Sequence, residues 1–121
     1  MRVALHSVLR EGQDHNYEVA HATVPSDLAE SLRVAGIRDW TIWRSGQDLF
    51  HLVEADDFVS AMNQLAHDPV NERWQDYMAQ FVDHFESVSD DVDGMVLARV
   101  WNFGDQLAGE QPGGAESAAR P

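Results

Sequence analysis

The stretch Ile37-Arg-Asp-Trp-Thr-Ile-Trp-Arg-Ser-Gly-Gln-Asp-Leu-Phe-His-Leu-Val-Glu54 decides the fold. Trp40, Thr41, Ile42 and Trp43 are strong β-formers, so Ile37 to Trp43 reads as a strand. Ser45-Gly46-Gln47 is a short hairpin turn. Asp48 to Glu54 then returns as a second strand, with Leu49/His51/Val53 on one face and Phe50/Leu52/Glu54 on the other. Both faces carry apolar side chains. A sheet with one solvated face would alternate more cleanly. Helices of a small domain cover only one face, so the other requires a partner, most simply a second copy of the chain.

Toward the N-terminus, Arg2 to Leu9 reads as a strand with Val3, Leu5 and Ser7 on one side and Ala4, His6 and Val8 on the other. Between it and the hairpin, Tyr17, His21, Val24, Leu28, Leu32 and Ala35 recur at helical spacing, with Asp14 as the expected N-cap. Pro25 lacks an N–H and predicts a break, with Thr23 or Val24 capping the restart. Gly36 is the expected residue just past the helix end.

Toward the C-terminus, Ala55 to Ala66 reads as an amphipathic helix with Phe58, Val59, Met62 and Leu65 inward. Asp68-Pro69 signals a new helix start. Val70, Trp74, Tyr77, Met78, Phe81 and Phe85 extend that helix to about Phe85 at helical spacing. Glu86 to Gly94 is an acidic loop. Met95 to Phe103 alternates as a final strand. The order is β-α-β-β-α-β, an α+β fold of the ferredoxin-like type. The domain spans 1–103; 104–121 has no periodicity and reads as a disordered tail.

The chain has 121 residues and no cysteine, with 21 acidic residues against 8 basic and a net charge of −13. Such a surface repels nucleic acid and anionic lipid. The absence of cysteine excludes disulfides and thiolate metal sites and is consistent with the cytoplasm. The N-terminus has no long apolar run, so neither a signal peptide nor a membrane span is expected.

Tyr17 and His21 lie four apart and are neighbours on one helix face. Histidine titrates near neutrality and can both give and take a proton; a phenol beside it can hydrogen-bond a hydroxyl or share in the transfer. By spacing alone, a packed core pair with satisfied polar tips is the commoner outcome. Trp40, Trp43, Trp74, Tyr77 and Trp101 are core candidates whose faces also suit the C–H surface of a sugar. His6, His51, His67 and His84 form no metal-ligand pattern with His21. His51, mid-strand beside an apolar stripe, either faces a cavity or is a buried histidine bonded to backbone. There is no Gly-rich phosphate loop and no nucleophile elbow.

Together, Tyr17-Glu-Val-Ala-His21, Pro25, Leu28, Gly36-Ile-Arg-Asp-Trp40-Thr-Ile-Trp43, Leu49-Phe50, Val53-Glu54 and Arg73-Trp74-Gln-Asp-Tyr77-Met78 resemble the L-rhamnose mutarotase family, from about residue 2 to 103. The resemblance implies a dimeric α+β barrel that interconverts the α and β anomers of a sugar without cofactor or metal. It implies His21 as proton donor and Tyr17 as a sugar contact. Trp40 stands where the family has a second tyrosine, and Trp74 and Gln75 where it has a Trp-Trp pair; all are thereby substrate-binding candidates. Val24 stands where the family usually has tryptophan. These substitutions widen the expected substrate to a 6-deoxy sugar of the L-rhamnose or L-fucose type. The expected partners are that sugar and a second copy of the chain. The competing readings are a non-catalytic ligand-binding dimer and a cofactor-free monooxygenase of similar fold.

Overall fold

The computed structural model describes residues 1–109. Strand β1 (Arg2–Leu9) is followed by helices α1 (Asp14–Ala20) and α2 (Ser26–Val34). The hairpin β2 (Ile37–Ser45) and β3 (Asp48–Ala55) comes next, then α3 (Phe58–Leu65), α4 (Pro69–Met78) and β4 (Val82–Phe85). A 3₁₀ turn (Val92–Met95) and a short helix α5 (Phe103–Leu107) complete the described chain. The strands form one sheet in the order β2-β3-β1-β4, with every neighbouring pair antiparallel. This is the ferredoxin-like arrangement expected from the element order.

Pairing register assigns each side chain to a face. Leu5 lies opposite His51 and Ser7 opposite Leu49, while Trp40 lies opposite Val53 and Ile42 opposite His51. Val3, Leu5, Ser7, Leu9, Leu49, His51 and Val53 are all buried beneath the helices. The other face carries His6 opposite Phe50, Ala4 opposite Leu52, and Trp43 opposite Phe50. Trp43, Phe50 and Leu52 there are 55%, 41% and 36% exposed. Among the described residues the helices thus cover one face only, and the other face stays apolar and open.

Local signals explain most boundaries. Pro25 separates α1 from α2 but is itself the N-cap of α2, in place of Thr23 or Val24, and Gln13 rather than Asp14 precedes α1. Gly36 takes φ 100°, the left-handed conformation that glycine adopts without a Cβ penalty. Ala55 belongs to β3, and α3 starts after Asp57, whose carboxylate accepts the Ser60 N–H at 3.0 Å. Asp68 caps α4 through the Val70 N–H at 2.9 Å, with Pro69 in the first turn.

Two expectations are corrected. The helix from Pro69 ends at Met78, not near Phe85, and the last strand is Val82–Phe85, not Met95–Phe103. β1 has a free edge opposite β3, and residues 82–85 take its C-terminal end: Ser7 pairs with Phe85 and Leu9 with Val82. Backbone bonds from Arg10 N–H to Phe81 and from Glu86 N–H to His6 flank that pairing. The N-terminal part of that edge is left to 95–103, which contributes a single bond to it, from the Leu97 N–H to the Ala4 carbonyl, and leaves Val100 91% exposed. The expected tail also begins inside α5, whose Asn102 cap accepts the Asp105 N–H at 2.9 Å. The remainder of that tail, 110–121, lies outside the described residues.

The core has two parts. One gathers Val3, Leu5, Ile37, Val53, Phe58 and Ala61; the other gathers Leu9, Tyr17, Leu49, Met78 and Phe81. Phe58 is 1% exposed, so Phe58→Ala is expected to destabilise the fold by about 3–5 kcal/mol in urea titration. Val88→Ala, at a side chain 94% exposed, should change stability by less than about 0.5 kcal/mol.

Candidate active site

Helix α1 is seven residues long and ends at Ala20. His21 caps it, and its N–H still bonds to the Tyr17 carbonyl at 2.8 Å. The i,i+4 relation therefore survives the break before Pro25. The two rings lie 5.4 Å apart between centroids. Tyr17 is buried against Leu9, Leu49, Met78 and Phe81, while His21 is half-buried. Trp74, on α4, meets His21 edge-on at 5.2 Å and continues to Tyr77 at 5.8 Å.

Tyr17 and His21 line an open cleft of about 290 Å³ together with Glu18, Ile42, Trp43, Arg44 and Leu49. That is the lower end of the size range for small-molecule sites, about 300 Å³. Arg44 sits at its rim, bonded through Nε to Glu18, with Asp14 at 3.5 Å. The guanidinium is thus balanced by carboxylates and is not free for an anionic ligand. On the far side of Trp74 a second cleft of about 300 Å³ is lined by Pro25, Asp27, Leu28, Val70, Arg73, Trp74 and Tyr77.

The sheet beneath contributes a polar row. Ser7 and His51 are 0% and 5% exposed. His51 Nε2 and Ser7 Oγ lie 2.8 Å apart, and the Trp40 indole N–H donates to His51 Nδ1 at 3.1 Å. Both contacts run diagonally between neighbouring strands, which long side chains can span. The row separates the two apolar clusters: Leu5 and Val53 belong to one, Leu9 and Leu49 to the other.

Burial keeps both deep polar groups neutral. Desolvation pushes the Tyr17 phenol up to about 12 from 10.0, so it is protonated at neutral pH and acts as a donor, not as a phenolate base. Desolvation, reinforced by His21 and His6, pushes His51 down to about 4 from 6.5. Of these two histidines, His51 is the buried neutral one, and His21 is the one that reaches the cleft.

The structure brings Tyr17, His21 and Trp74 together by direct ring contact, while Trp40 contacts His51 and lines neither cleft. It does not bring Gln75 there: that side chain is exposed, bonds Asn71 at 3.4 Å and lines neither cleft. Sequence reasoning missed Ser7, whose one signal is being the polar member of an otherwise apolar inward set. It also missed Arg44 and Glu18, which come together only across the fold. Among the described residues no group of three metal-ligating side chains is assembled.

A family model described as L-rhamnose mutarotase matches residues 2–103. The chain belongs to the L-rhamnose mutarotase family. Proteins named L-rhamnose mutarotase from Paraburkholderia xenovorans and Burkholderia ambifaria are each 32% identical over 82 residues. That match covers 66% of this chain and 76% and 78% of those proteins, respectively. Among solved structures, an L-rhamnose mutarotase from Formosa agariphila superposes with a TM-score of 0.64 at 21% identity, covering 85% of this chain and 98% of that one. Tetracenomycin F2 cyclase from Streptomyces glaucescens, a polyketide cyclase, superposes at 0.56 with 19% identity, covering 85% and 96%. At those identities the likeness speaks for the fold, which this mutarotase family member shares with an enzyme of different chemistry.

The depressed His51 value gives a pH signature. Between about 4 and 6.5 the unfolded chain binds more protons at this residue than the folded one. Stability is fully present above the unfolded value and is lost as pH falls toward the folded value, by about 3 kcal/mol in all. Urea titrations at pH values on either side of that window should show the loss in the native protein and a smaller one in His51→Gln.

Proposed function

We propose that this chain is a cofactor-independent mutarotase acting on a 6-deoxy sugar of the L-rhamnose or L-fucose type, working as a cytoplasmic homodimer. The observation that carries the activity is the cleft lined by Tyr17 and His21, with Trp74 of the neighbouring cleft in edge contact with His21. Mutarotation moves one proton off the anomeric hydroxyl and one onto the ring oxygen. The C1–ring oxygen bond breaks, the aldehyde rotates, and the ring closes on the other face with the protons returned. His21 donates to the ring oxygen. The Tyr17 phenol, protonated at neutral pH, takes the anomeric hydroxyl's proton as it passes its own to the imidazole that has just donated, so both groups end as they began. Trp74 offers an aromatic edge and face to the C–H surface of the sugar. Trp40, on the same β2 face as the cleft-lining Ile42, and Gln75 are left as outer contacts.

A second copy is supported by the open sheet face. Trp43, Phe50 and Leu52 form an exposed apolar strip on an otherwise acidic protein, and His6 stacks on Phe50 at 4.8 Å. Burying that strip against its own symmetry mate would give the sheet its second cover. No helix among the described residues is long and apolar enough to cross a membrane.

Saturation-transfer NMR across L-rhamnose, L-fucose and common hexoses tests the activity. The expected outcome is accelerated anomer exchange with a 6-deoxy sugar, reduced by about 10²–10⁴-fold in His21→Ala. Sugar binding without faster exchange would favour the non-catalytic ligand-binding reading, and unchanged exchange in His21→Ala would remove His21 from the mechanism. Phe50→Asp should convert the dimer to monomer in sedimentation velocity; a native protein that already sediments as a monomer would sink the dimer.

A further inference from the structure

The row Ser7–His51–Trp40 has only one consistent arrangement of protons. An indole nitrogen donates and never accepts. His51 Nδ1, which receives the Trp40 N–H at 3.1 Å, must therefore carry the lone pair. A neutral imidazole then has its proton on Nε2, which donates to Ser7 Oγ at 2.8 Å. Both nitrogens of His51 are occupied, and so is the one polar atom of Trp40. The burial that keeps His51 neutral preserves this tautomer at physiological pH.

The row lies beside the sugar site. Trp40 and Ile42 project from the same face of β2, and Ile42 lines the cleft that holds Tyr17 and His21. His51 lies directly opposite Ile42 on β3. Trp40 is half-buried and its one polar side-chain atom is taken by His51, so whatever surface its side chain presents is hydrocarbon. A hydroxyl placed against it would lose its water and gain no partner, which disfavours it.

We propose that His51 is a positioning residue of the sugar site: by accepting the Trp40 indole N–H it fixes that ring and leaves it apolar surface only, so the part of the sugar that meets Trp40 is one without a hydroxyl. This rests on the mutarotase reading and deepens it, since a 6-deoxy sugar has such a part at its C6 methyl. His51 touches neither the reacting atoms nor the transferred proton. It acts through Trp40.

The test is a comparison of L-rhamnose with L-mannose, which differs by a hydroxyl at C6. His51→Phe removes the acceptor, keeps the volume and frees the indole N–H. It should lower the L-rhamnose to L-mannose ratio of kcat/KM by about tenfold, through KM more than kcat. His51→Gln, which keeps an acceptor and a donor, should hold that ratio within about threefold. Adding Trp40→Phe to His51→Phe should restore the ratio, because no indole N–H is left to greet the hydroxyl. Nitrogen-15 NMR of the native protein should show the Nε2–H tautomer of His51 and a Trp40 Nε1–H resonance that moves in His51→Phe. An unchanged ratio in His51→Phe, equal losses in the Gln and Phe variants, or an Nδ1–H tautomer would each overturn the proposal. Should His51→Phe fail to fold, the tautomer and the Gln variant still decide it. A native protein that exchanges no sugar anomers fails the mutarotase reading; an active one with an unaltered ratio fails this inference alone.

Discussion

The register between β1 and β3 governs the rest of the molecule. With Leu5 opposite His51 and Ser7 opposite Leu49, the inward set is Val3, Leu5, Ser7, Leu9, Leu49, His51 and Val53. A slip of β3 by one residue would turn Phe50 and Leu52 under the helices and His51 out to the open face. The polar row, the two apolar clusters on either side of it and the cleft under α1 would all be lost together. β1 is the natural place for that constraint, because it pairs on both sides and its inward residues appear in both clusters.

The site is built so that burial assigns protonation states. Tyr17 and His51 are both deep, and desolvation holds each in its neutral form by moving their values in opposite directions, the phenol upward and the imidazole downward. Polar groups so deep would destabilise the core if left unpaired. Ser7, His51 and Trp40 satisfy one another, and no buried side-chain nitrogen or oxygen among the described residues is left without a partner. The polar seam is thereby compatible with the apolar packing on both sides of it.

Much of this was legible in the sequence. The alternation across Asp48 to Glu54 gives both faces of β3 correctly, but His51 is a buried, hydrogen-bonded side chain that lines neither cleft. Asp68-Pro69 and Gly36 marked real boundaries because capping and left-handed turns are local chemistry. The end of the chain was misread for an equally physical reason. Apolar residues from Val70 to Phe85 satisfy helical spacing, yet the Phe81–Phe85 portion is needed by the free edge of β1, and tertiary pairing overrides the local period. Met95 to Phe103 alternates like a strand but makes only one backbone bond to the β1 edge, from Leu97 to Ala4.

The sequence by itself determined the α+β order, the pairing of Tyr17 with His21 on one helical face and the excess of apolar residues on the hairpin. These are consequences of periodicity and composition, which a linear chain displays. Only the tertiary structure decided that Trp74 meets His21, that Gln75 turns away, and that Ser7, His51 and Trp40 share two hydrogen bonds. Ser7 and His51 are 44 residues apart, and their contact depends on strand register and on burial together. Neither is visible until the chain closes on itself.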